Sequence, residues 1–136
     1  MRTTTSIPLV TTITFSLAFG AAGTAVADDP PVPLIAPYTQ AAAEVDAAGT
    51  LLKAKNVDEV SRPFTGVYCV HVSDPRINLA RSAPTGTLQG FPARGGSIRV
   101  EVEPSTGCGE EENTLTVLIS NAAGSPANAQ FYVTIQ

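Results

Sequence analysis

Two cysteines, one histidine and a run of three glutamates are the residues of this 136-residue chain whose types and spacing bear most directly on chemistry. Cys69 and Cys108 are the only cysteines and His71 is the only histidine. An even cysteine pair in an exported chain predicts a disulfide. The rival is a metal, but two thiolates and one imidazole fall short of the four ligands of a closed zinc site, so no metal ligand is assigned. Cys69 and His71 share one face of a strand, the pairing of thiol and base that nucleophilic catalysis uses. Residues two apart on a strand are spread by about 6.5 Å, too far for direct proton transfer, and an exported thiol pair is oxidised. His71 also has Ser and Asp around it, as a Ser-His-Asp hydrolase requires, but no Gly-x-Ser-x-Gly elbow or comparable nucleophile context is present. His71 is therefore read as a partly buried strand residue near the disulfide, and no catalytic residue is assigned.

Glu110, Glu111 and Glu112 have the hard oxygen ligands that calcium takes. Three consecutive carboxylates seldom converge on one ion, and no Asp-x-Asp-x-Asp-Gly spacing lies nearby. They read instead as a solvated acidic loop that keeps a sheet edge soluble. Tyr38, Phe64, Phe91 and Tyr132 are the side chains for an aromatic platform for sugars or peptides. In a small domain without tryptophan, most are expected in the core and a single one at the surface. No cofactor motif is found.

The element that positions Cys69 and His71 runs from Val57 to Val72, two strand-like runs joined at Pro63-Phe64-Thr65-Gly66, which predicts a β-hairpin. In its second run Tyr68, Val70 and Val72 fall on one face, and Val67, Cys69 and His71 on the other. The first face is plain core. The second starts the covalent tie to Cys108.

The amino terminus sets the compartment. Met1-Arg2 is followed by an uncharged stretch with its apolar centre at Ile13 to Phe19, and then by Ala25-Val26-Ala27 ahead of Asp28. These are the three parts of a secretory signal, so residues 1–27 are expected to be removed and the protein to be secreted and extracellular. As a membrane anchor the stretch is broken by Pro8, Gly20 and Gly23 and lacks the run of about 20 strongly apolar residues that spanning needs. All twelve acidic residues and every basic residue but Arg2 lie after it, for a formal charge of −5. That balance argues against nucleic acid or an anionic membrane as partner, both of which need a basic patch.

Residues 28–40 carry Pro30, Pro31, Pro33 and Pro37, which remove ladder donors, and form an expected flexible, extended arm. Residues 41–136 form the expected single domain. Tyr38 to Ala48 has two readings from its residues alone: a short alanine-rich helix, or a strand at Ala42–Asp46 paired with Thr50–Lys55 across Ala47-Ala48-Gly49. Further strands are predicted at Ile77–Arg81, at Thr87–Phe91, and at Ile98, Val100 and Val102 with Arg99, Glu101 and Glu103 on the wet face. Leu115, Val117 and Ile119 mark another, and Phe131, Val133 and Ile135 the last. Ala83–Gly86 and Pro92–Gly96 read as turns. Many short strands without a convincing helix indicate an all-β fold, a small antiparallel β-sandwich or barrel with one disulfide.

The spacing Val45-x-x-x-Gly49-Thr50-Leu51, Lys53, Val57-x-x-Val60-x-Arg62 and Thr65-Gly66-x-Tyr68-x-Val70-x-Val72 resembles a pattern of uncharacterised secreted bacterial and phage-fibre-like β domains. There it runs V-x-A-D-G-T-L, a basic residue with glycine, G-V-x-S-V and G-T-G-x-Y-x-V-x-F. Ala48 stands where Asp is usual, Ala54 and Asn56 where glycines are usual, and Val72 where Phe is usual. The resemblance implies strands rather than a helix from Ala43 onward, and it names no activity. The expectation that follows is a non-enzymatic binding or structural module for a protein or surface ligand. Self-association is expected through an edge at the final strand, Phe131–Gln136. The alternatives are a small secreted enzyme using His71 and an enzyme inhibitor presenting the loop Pro92–Gly96.

Overall fold

A computed structural model describes residues 29–90 and 94–136. The signal expected at residues 1–27, and Phe91, Pro92 and Ala93, lie outside the described residues. The described residues form nine strands: β1 (Val32–Pro33), β2 (Ala41–Val45), β3 (Leu51–Lys55), β4 (Val57–Phe64), β5 (Val67–Val72), β6 (Pro84–Leu88), β7 (Ser97–Glu101), β8 (Thr114–Ser120) and β9 (Phe131–Ile135). They form two sheets, one ordered β1-β3-β2-β9-β6 and the other β4-β5-β8-β7. Every pairing is antiparallel except β1 with β3. The fold is thus all-β, two facing sheets with one disulfide.

The two-residue period places the core. Ala41, Ala43 and Val45 of β2 and Phe131, Val133 and Ile135 of β9 are buried, as are Tyr68, Val70 and Val72 of β5 and Leu115, Val117 and Ile119 of β8. Each large aliphatic or aromatic side chain removed from water in this way contributes about 1.5–3 kcal/mol. Small residues pair with large ones in the first sheet: Ala41 stands opposite Ile135 and Ala43 opposite Val133. Between the sheets Tyr68 meets Phe131 edge-on, ring centroids 4.9 Å apart, the arrangement that aromatic quadrupoles favour. The Tyr68 hydroxyl donates to the Ala47 carbonyl at 2.9 Å, so its one polar atom is satisfied. Burial pushes the Tyr68 phenol above its ordinary pKa.

Turn chemistry closes the hairpins as its residues dictate. In the β2–β3 turn Asp46 Oδ1 accepts from the backbone of Ala48 at 2.9 Å and of Thr50 at 2.8 Å, the Asx geometry that makes Asp a turn former. This is the strand reading of the alanine-rich segment. Between β4 and β5 the turn needs a positive φ at Gly66, +71°. A Cβ there would also sit 2.5 Å from the Ile119 carbonyl oxygen.

Several expectations are corrected. Ile77–Arg81 is not a strand but a bend ending in a 3-10 turn at Leu79–Arg81. Ile77 and Leu79 are both buried, so their spacing of two imitates strand alternation while the backbone bonds locally, Ile77 N–H to Asp74 and Arg81 N–H to Asn78. The strand predicted at Thr87–Phe91 lies instead at Pro84–Leu88, and Pro84, lacking an N–H, occupies its first position on a sheet edge, where a missing donor costs least. Finally, β9 is not an edge. It lies between β2 and β6 with both sides paired, which removes the edge expected for self-association. The proline-rich segment is docked: β1 pairs with β3, and the Leu34 N–H donates to the Ala54 carbonyl at 2.8 Å.

Candidate functional site

Cys69 and Cys108 form the expected disulfide, with their Cα atoms 5.6 Å apart. Cys69 lies on the outward face of β5, and Cys108 ends a 3-10 turn at Thr106–Cys108 in the long β7–β8 loop. The bond straps that loop over the outer face of the second sheet. Ser105 and Thr116 share a hydroxyl contact of 2.7 Å, and the Thr116 hydroxyl lies 3.4 Å from the Cys108 sulfur. Thr114 and Thr116 are consequently buried, and β8 is covered on both faces although only Leu115, Val117 and Ile119 read as core. On β7 Arg99 pairs with Glu101 at 2.8 Å, on the face predicted to be wet. Glu110, Glu111 and Glu112 are exposed on the strap. Among the described residues no group of three or more His, Cys, Asp and Glu is placed to hold a metal ion.

His71 is half-exposed and its Nδ1 lies 2.6 Å from Asp58 Oδ1. Asp58 comes from the irregularity in β4 between Val57 and Glu59, which turns its carboxylate onto the ring; Glu59 is the cross-strand partner of His71 on one side and Thr114 on the other. A carboxylate that orients an imidazole is the outer part of a hydrolytic triad. The described hydrogen bonds of His71 include none from a hydroxyl to its second ring nitrogen, and the Cys69 sulfur is committed to Cys108. The contact joins β4 to β5.

The aromatic residues divide differently from expectation. Tyr38 is 92% exposed and Phe64 63%, Tyr132 is half-buried, and Phe91 lies outside the described residues. Ile35, at 94%, and Val32, at 58%, join Tyr38 on the arm. Among the described aromatics of the expected platform none is fully buried. The rule that most would enter the core fails because the core space is already filled by Tyr68 and Phe131.

The apolar tip Ile35-Ala36-Pro37-Tyr38 is exposed yet firmly held. Lys55 Nζ donates to the carbonyls of Ala36 at 2.5 Å and Thr39 at 2.7 Å, and the Thr39 hydroxyl donates to Ala36 at 3.1 Å. Gln40 bonds β9 through its backbone N–H to Ile135 and its side chain to the Gln136 carbonyl. Asn56, whose φ of +53° makes the tight β3–β4 link, donates its amide to Gln40 at 2.7 Å. Lys55 and Asn56 are the residues that the sequence left unassigned here.

The outer face of the first sheet carries one buried carboxylate. Glu44 is buried, 2.7 Å from Lys53 Nζ, and accepts from Gln130 at 2.9 Å. The Lys53 contact holds the Glu44 carboxyl below its ordinary pKa against the opposing effect of burial, and Glu44 in turn raises that of Lys53. Among the open clefts of the surface are two that adjoin Gln130 and the arm. One of about 420 Å³ is lined by Asp46–Ala48, Gln89–Gly90 and Asn128–Gln130. The other, of about 370 Å³, lies beside the arm between Lys55 and Arg76.

No family model matches the chain, and neither a curated protein nor a solved structure matches it.

Proposed function

We propose that this chain is a secreted β module that works by contact, as a binding or structural element, with the arm turn as its contact point. The observation that carries the reading is the exposure of Ile35 and Tyr38, 94% and 92%, on a turn whose backbone is fixed by Lys55, Thr39 and Gln40. Apolar side chains on a free tail cost little and mean little. On a pinned turn they are pre-organised, so a partner that covers them loses little ordering entropy. Tyrosine is also among the residues that dominate interface energies. The resemblance to secreted and phage-fibre-like β domains, which names no activity, is compatible with this reading.

The experiment is capture from culture supernatant by the tagged mature protein, alongside the double variant Ile35→Ser, Tyr38→Ser, with the oligomeric state of both measured by sedimentation. The expected result is that the unmodified protein retains a partner, or a second copy of itself, and that the variant loses it at unchanged melting temperature. A variant that retains the same partner to the same extent would overturn the reading.

A further inference from the structure

We infer that the cleft beside the arm receives a carboxylate of the partner that covers Ile35 and Tyr38, so that the feature recognised is an acidic group next to an apolar side chain. This rests on the contact reading above. The cleft is lined by Thr39, Gln40, Lys55, Asn56, Arg76 and Ile77, with Asp74 beside Arg76. At about 370 Å³ it has room for one side chain or a chain terminus, within the size range of small-ligand sites.

Its charge decides the ligand. Lys55 is half-buried, and its ammonium is met by two neutral carbonyl oxygens, of Ala36 and Thr39, with no carboxylate among its described contacts. An ammonium has three donors, so one remains. Arg76 forks onto Asp74 through Nε at 2.9 Å and Nη2 at 2.8 Å, which takes two of the five guanidinium donors and leaves the outer ones to solvent. Among the lining side chains two cations, Lys55 and Arg76, stand against one carboxylate, Asp74, with a main-chain oxygen of Gln136 held by Gln40 at 2.7 Å, on a chain whose net charge is −4. The anion that complements the two cations gains charge-assisted hydrogen bonds. Ile77 in the cleft wall is itself buried, so the apolar component is the exposed Tyr38, next in sequence to the lining residue Thr39, with Ile35 on the same turn. Together these select an amphipathic acid over a bare polyanion.

The test uses amide spectra of the mature protein titrated with N-acetyl-L-phenylalanine, with its carboxamide, and with inorganic sulfate. The acid is expected to shift the amides of Thr39, Gln40, Asn56, Arg76 and Ile77 saturably, with the carboxamide and sulfate each weaker by about tenfold or more. Arg76→Gln, which leaves the Lys55 anchor of the arm in place, is expected to weaken the acid several-fold without moving signals elsewhere. Equal shifts from acid and carboxamide, or none at these amides, would overturn the inference. So would sulfate binding as tightly as the acid, since that describes a general anion site. If Ile35→Ser, Tyr38→Ser loses its partner while the acid fails to bind, the contact reading stands and this inference alone falls.

Discussion

Cys69 and Cys108 stand 39 residues apart in the chain and 5.6 Å apart at their Cα atoms, and the bond between them ties the outer face of β5 to the loop that covers it. That loop has little apolar content of its own between Pro104 and Asn113. It is held by the disulfide and by the hydroxyl contacts of Ser105 and Thr116.

Reducing this bond is therefore expected to cost a large share of the stability. For a closed loop of this length the chain-entropy model gives about 4 kcal/mol at 25 °C, set against the 5–15 kcal/mol typical of a whole domain. Urea unfolding with and without reductant checks it, and the variant Cys69→Ala, Cys108→Ala should match the reduced protein. A midpoint that does not move would show that the strap contributes nothing.

Gly86 of β6 lies against β7 of the other sheet, where a Cβ would be 2.8 Å from Ile98 Cδ1 and 2.9 Å from Val100 Cγ2. Gly86→Val is expected to overpack this sheet-to-sheet contact and cost about 1–3 kcal/mol. Gly86→Val combined with Ile98→Ala should recover part of that loss, because the Ile98 side chain is what the new methyls meet. Thermal melts of the three proteins measure it.

Acid should weaken the fold through two carboxylates. Asp74, hydrogen-bonded to the Arg76 side chain and backbone, is held at about 2 against an ordinary 3.8, and Glu44 is lowered from 4.5 chiefly by Lys53. A carboxyl whose folded pKa is depressed contributes stability that is complete above its unfolded pKa and is lost as pH falls toward the folded one. The melting temperature is thus expected to be level above about pH 5 and to fall between there and pH 2. Asp74→Asn should make that fall shallower; an unchanged slope would remove Asp74 from the account.

His71→Ala is expected to leave the fold intact and to cost no more than about 1 kcal/mol, since the side-chain contact with Asp58 is solvent-exposed. Partner capture should also be unchanged, because His71 lies on the second sheet and Lys55, Ile35 and Tyr38 on or beside β3 and the arm. Turnover of an ester, peptide or glycoside by the purified protein, lost in this variant with the fold preserved, would establish the enzymatic alternative in place of contact.

Much of the local structure was determined by the sequence itself. Alternation in β5, β7, β8 and β9 marks the face that each strand turns to the core because a strand's side chains alternate by geometry alone. Asp46 and Gly66 announce their turns through chemistry confined to a few residues. The disulfide followed from an even cysteine count in a chain whose first residues read as an export signal.

Tertiary structure decided what alternation cannot encode. Periodicity says which residues share a face, not which strand lies alongside, so the place of β9 between β2 and β6 became visible only once both sheets were assembled. Ile77 and Leu79 bury at strand spacing without a strand because burial depends on the core they pack against. Thr114 and Thr116 are buried because a loop fastened 39 residues away in sequence lies over them. Tyr38 is exposed and Tyr68 is not for the same reason: the fate of an aromatic ring is set by what packs against it from distant parts of the chain, and only the folded arrangement of Lys55, Gln40 and β9 places the arm turn where the described residues leave the Tyr38 ring uncovered.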